Sequence, residues 1–125
     1  MQFVEVINEN GKRGSTKLPE GIKNYLIDID GTLCEDIPNE EPERMPGAMK
    51  LPGGREKINN WYDQGHIITM FTSRLEEHRA VTEQWLKDND FKYHKIIFGK
   101  PCGGNYHWID DRDVEFTKFA SWDYL

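Results

Sequence analysis

Apolar runs stopped by turn-forming or charged residues set the rhythm of this chain. Tyr25-Leu26-Ile27 gives way to Asp28-Ile29-Asp30-Gly31, and His66-Ile67-Ile68-Thr69-Met70-Phe71 gives way to Thr72-Ser73-Arg74. Tyr93-His94-Lys95-Ile96-Ile97-Phe98 ends in Gly99-Lys100-Pro101, and Tyr106-His107-Trp108-Ile109 ends in Asp110-Asp111. Short apolar runs bounded in this way predict buried strands. Between the first two, Ile58, Trp61 and Tyr62 recur at helical spacing, after Pro52-Gly53-Gly54 and before Gly65. They predict one helix. Val81, Trp85 and Leu86 predict a second helix that follows Arg74 and ends near Asn89. The order strand, helix, strand, helix, strand, strand predicts a Rossmann-like α/β fold of three layers around a mostly parallel sheet.

Outside this alternation lie three segments. Residues 3–7 and 15–18, around Asn8-Glu9-Asn10-Gly11, predict a hairpin within an N-terminal extension of residues 1–24, because Asn-Gly suits a tight hairpin turn. Residues 34–52 carry Pro38, Pro42, Pro46 and Pro52 among acidic residues and predict a long loop or flap, a length that is often functional. The aromatic tail, with Phe116, Phe119, Trp122 and Tyr124, is expected to dock on the body.

Composition narrows the classes. With 125 residues the chain is one domain by size. A net charge of −6 argues against a nucleic-acid binder, which would present a basic face. No apolar run is long enough to span a bilayer, and Met1-Gln2-Phe3-Val4-Glu5-Val6, with no basic start and no long apolar run, is not expected to act as a signal peptide. A cytoplasmic location is therefore expected. Cys34 and Cys102 are too few for a disulfide framework, and His66, His78, His94 and His107 lack zinc-ligand spacing with them.

Asp28 and Asp30 are the most informative pair. Residues i and i+2 of a strand point the same way, so both carboxylates face one spot. They stand at the strand's carboxyl end, where open α/β sheets bind ligands. Two like charges so close call for a cation or a shared proton. The spacing points to acid–base work or to a hard, oxygen-loving cation such as Mg2+. Thr72 has a competing reading as an ordinary helix N-cap, and Asp110-Asp111 as a solvated strand end.

The hexad Asp28-Ile-Asp-Gly-Thr-Leu33, followed in order by Thr72, Lys100 and Asp110-Asp111, resembles the four motifs of the haloacid dehalogenase superfamily. The resemblance covers residues 25–113. It implies a Mg2+-dependent phosphatase in which Asp28 is the nucleophile and Asp30 the general acid, with Asp30 also lending its carbonyl to the metal. Thr72 would hold a phosphate oxygen, Lys100 would steady the nucleophile, and Asp110 and Asp111 would complete the metal site. Thr32, Ser73, Arg74 and Arg112, beside these motifs, are candidate substrate contacts. Neither insertion point, residues 34–52 nor 73–94, has room for a cap domain, so the resemblance is to capless members with open sites. The expected substrate is a phosphorylated small molecule, sugar phosphates included. Closure of the site would then fall to the 34–52 flap or to a second subunit of a homo-oligomer. The alternatives are a non-catalytic binding or regulatory domain of the same fold, a polynucleotide end phosphatase and a phosphotransferase.

Overall fold

The computed structural model describes residues 18–125. It is an α/β structure built on strands β1 (Asn24–Ile27), β2 (Ile67–Phe71) and β3 (Lys95–Ile97), with helices α1 (Gly54–Asp63) and α2 (Arg79–Asp88) as the crossovers. The strands form an open parallel sheet in the order β1-β2-β3. Ile27 lies beside Met70, and Met70 beside Ile96. β2 is the central strand, and a parallel strand covered on both faces must be apolar throughout. Accordingly Ile67, Ile68, Thr69 and Met70 are all buried.

Right-handed crossovers that advance the sheet in one direction place their helices on one face. α1 meets the loop that follows α2: Asn59 Nδ2 donates to the Asp90 carbonyl, and Asn59 Oδ1 accepts from Lys92 N, both at 2.8 Å. Ile58 from α1 and Trp85 and Leu86 from α2 enter the core, while Trp61 stacks on Tyr25 of β1 with ring centroids 4.1 Å apart. No helix among the described residues is long and apolar enough to cross a membrane.

The loop of residues 34–52 is closed on itself and packed. Cys34 bridges Lys50 in antiparallel fashion, and Leu51 N donates to Leu33 O. Ile37, Met45 and Ala48 are buried, and the Trp85 indole donates to Ala48 O at 2.9 Å. The expectation of a flap is corrected to this extent: the segment's own apolar side chains pin it to the core.

Two further expectations need correction. The second helix does not start directly after Arg74; a 3-10 turn at Glu76–His78 intervenes. The run Tyr106–Ile109 forms no strand. Residues 101–118 are exposed throughout, with Trp108 at 54% and Ile109 at 86%. A parallel strand needs a crossover of roughly a dozen residues or more. Only Pro101 to Asn105 separate Lys100 from Tyr106. The N-terminal hairpin expected at 3–7 and 15–18 rests on residues outside those described.

The tail divides. Phe119 and Trp122 dock on the core, whereas Phe116 and Tyr124 stay exposed. Trp122 explains Gly54: a Cβ there would sit 2.7 Å from the indole nitrogen.

Candidate active site

The carboxyl ends of the three strands gather Asp28, Asp30, Thr72, Arg74 and Lys100. Just past β1 the chain turns at Gly31, whose φ of 83° is one that only glycine adopts at little cost. Thr32 N and Leu33 N both donate to Ile29 O, and Ile29 is fully buried. This knot fixes the two flanking aspartates. Beyond β2, Thr72 N donates to Ile97 O and Lys100 N donates to Thr72 O, which stitches the β2 and β3 ends together.

Lys100 Nζ stands 3.0 Å from Asp28 Oδ1; the lysine side chain is 14% exposed and the aspartate 37%. The Phe71 and Tyr106 rings flank the ammonium at 5.7 and 5.6 Å from their centroids. Rings at that distance attract a cation and limit its hydration. One oxygen of Asp28 therefore faces a fixed cation while its side chain remains open to solvent.

Asp30 is engaged differently. Arg74 Nε donates to its Oδ2 at 2.9 Å and Arg74 Nη2 to its Oδ1 at 2.8 Å, in a bidentate pair. Arg74 Nη1 continues to Thr82 Oγ1 at 3.0 Å. The arginine side chain is fully buried, so the expected substrate contact from Arg74 is not made: a buried charge needs a partner, and Asp30 supplies it. Sequence reasoning missed this pairing, and Thr82 with it. Thr72, also fully buried, accepts Arg74 N at Oγ1 (3.1 Å), so its hydroxyl shapes the turn that sends the arginine inward.

Other candidates lie at the margin. The Thr32 carbonyl accepts from Trp122 Nε1 at 2.8 Å, and the Ser73 carbonyl accepts from Asn39 Nδ2 at 3.0 Å. Asn39 thus ties the 34–52 loop to the site, another contact that sequence did not single out. Cys34 lies beneath Asp30, its Sγ 3.8 Å from Oδ1. Burial, reinforced by the charge of Asp30, pushes its thiol pKa up to about 12. It is a protonated packing residue at neutral pH.

Asp110, Asp111 and Arg112 are not brought to this cluster. Asp110 Oδ2 accepts from the Trp108 indole at 3.0 Å and its Oδ1 from Arg112 N at 3.1 Å; these bonds hold its carboxyl below the ordinary carboxylate range. Arg112 Nε lies 3.7 Å from Asp111 Oδ1 on the open surface. The expected fourth motif fails to assemble within one chain because the strand that should carry it does not form. The described residues contain no group of three or more His, Cys, Asp or Glu side chains arranged to hold a metal ion. As placed here, then, Asp28 and the Asp30 carbonyl do not by themselves fit a Mg2+ site.

No family model and no curated protein matches this chain. Among solved structures, a crystallised protein target from Vibrio cholerae is similar, with a TM-score of 0.54 and 23% identity over 74% of this chain and 83% of that one. At that identity the likeness shows the fold alone.

Proposed function

We propose that this protein is a phosphomonoesterase of the haloacid dehalogenase type, a capless α/β domain that acts through an aspartyl-phosphate on Asp28. The observation that carries the reading is the Lys100–Asp28 pair beside Thr72 at the carboxyl edge of a parallel sheet. Phosphoryl transfer asks mainly for positioning and charge stabilisation. In this reading the free oxygen of Asp28 attacks phosphorus, the bond to the leaving oxygen breaks, and that oxygen takes up a proton. Water then attacks the phosphorus, and phosphate and the Asp28 carboxylate are released. Lys100 holds the carboxylate in place and offsets charge on the transferred group. Both Asp30 oxygens accept hydrogen bonds from Arg74, so proton donation by Asp30 requires this pair to loosen when substrate binds. A phosphorylated small molecule, sugar phosphates included, is the proposed substrate class. Asp28 and the Asp30 carbonyl would hold Mg2+ only with Asp110 and Asp111 brought beside them, and the ion would then supply further charge neutralisation.

A non-catalytic domain is the second reading, and the exposed position of Asp110 and Asp111 favours it. The two are separated by assaying the purified protein with an aryl phosphate and with a panel of phosphorylated metabolites. Turnover is expected with Mg2+, should vanish with chelator and should return when Mg2+ is restored. Unchanged turnover after exhaustive chelation would remove the metal from the account, and no turnover of any phosphate ester would favour the binding domain.

A further inference from the structure

We propose that residues 106–111 are exchanged between two copies of this chain. The strip Tyr106–Ile109 of one copy adds as a parallel strand to the outer edge of β1 in the other and delivers Asp110 and Asp111 to the partner's site. The proposal rests on the phosphatase reading, which asks for that aspartate pair beside Asp28 and so for a parallel strand; the free edge and the exposed strip supply the means.

Two unpartnered features coexist in the described chain. β1 is an edge strand there, with Leu26 47% exposed. An unpaired edge is a template for another strand. Residues 106–109, Tyr-His-Trp-Ile, are rich in strand-forming aromatic and β-branched types yet lie exposed with no strand pairing in the described chain; the exchange gives up the place of the Tyr106 ring beside its own Lys100.

The strip cannot satisfy its own β1 in the sense the site needs. Lys100 is fixed at the carboxyl edge through Thr72 O and Asp28. From there the chain runs toward the amino end of β1, where Glu115 Oε1 meets Lys23 Nζ at 3.0 Å. That direction opposes β1, and it carries Asp110 and Asp111 away from Asp28. A parallel alignment would require the chain to regain the amino end of β1 before Tyr106, within Pro101–Asn105. That is less than half of the roughly dozen residues such a crossover takes.

A second copy removes the constraint, because the strip can then enter the neighbour's β1 at its amino end. Aligning Tyr106–Ile109 with Asn24–Ile27 puts Asp110 beside Asp28 and Trp108 beside Leu26. The hinge is suited to the change of path. Pro101-Cys102-Gly103-Gly104-Asn105 holds two glycines at positive φ, 130° and 82°. The tail fits as well. Trp122 docks at Thr32 and Gly54, at the carboxyl edge. A strip that ends there with Asp111 reaches this dock directly, instead of travelling to the amino end and back. The same exchange made twice gives a closed two-fold dimer.

The test has two arms. In a Cys102→Ser background, Leu26→Cys with Trp108→Cys should, on mild oxidation, give a disulfide-linked dimer on non-reducing gels. A link within one chain, or none, would overturn the exchange. In the second arm, Asp28→Asn and the double variant Asp110→Asn/Asp111→Asn, each inactive alone, are co-expressed. Random pairing of exchanged dimers restores about a quarter of the wild-type sites, since each mixed dimer rebuilds one intact site of its two. Turnover by a wild-type monomer would overturn the exchange and leave the phosphatase reading in place. A linked dimer without phosphatase activity in the wild type would keep the exchange and end that reading.

Discussion

Asp28→Asn is expected to lower turnover of an aryl phosphate by about three orders of magnitude or more, because loss of a covalent nucleophile removes the chemical path itself. The fold should persist. Asp28 is partly open to solvent and its one close ionic partner, Lys100, keeps 14% exposure. The amide oxygen of an asparagine can still accept from Lys100 Nζ, so the ammonium keeps a polar partner after the charge is removed. Thermal unfolding should therefore move little while activity disappears. A variant with near-native turnover would remove Asp28 from the nucleophile's role, and one that fails to fold would be uninformative about chemistry, so both quantities are measured on the same preparation.

The second large effect concerns stability. Arg74→Ala is expected to destabilise the protein by about 3–5 kcal/mol, the usual cost of removing one partner of a buried ion pair. Three groups lose their contacts together: both oxygens of Asp30 and the hydroxyl of Thr82. Arg74→Lys should recover only part of the loss, since an ammonium cannot reproduce the planar bidentate fork. Urea denaturation reads the effect as a shift in midpoint. A merely substrate-binding arginine would behave otherwise, raising KM while leaving the denaturation curve in place. That outcome would contradict the structural role assigned here.

What could be read in the sequence follows from how local the determinants are. β1, β2, β3 and both helices announce themselves because apolar period and turn residues agree within each segment. Asp28, Asp30, Thr72 and Lys100 were legible for the same reason: each closes an apolar run, and parallel strands bring their carboxyl ends to one edge. Tyr106–Ile109 has the same local pattern but no strand forms, because pairing depends on the length of the connection from Lys100 and on which edge lies within reach. Arg74 reads from sequence as a substrate contact because its actual direction is set by Thr72 Oγ1 and by pairing with Asp30, both tertiary facts. A hint is available: a half-buried carboxylate on the second position of the Asp-x-Asp pair attracts a cation, and Arg74 follows the neighbouring strand. The packing of residues 34–52 was likewise hidden, since its prolines and acids read as a free loop while Ile37 and Met45 hold it down.

The central claim is that Asp28 carries the phosphoryl group, and trapping that adduct tests it most directly. The protein is incubated with an aryl phosphate and Mg2+, quenched in acid and reduced with borohydride, which converts an acyl phosphate on aspartate to homoserine. Peptide mass spectrometry is expected to find homoserine at position 28 and nowhere else. Protein that turns the substrate over while position 28 remains aspartate, or while another residue is reduced instead, would contradict the account.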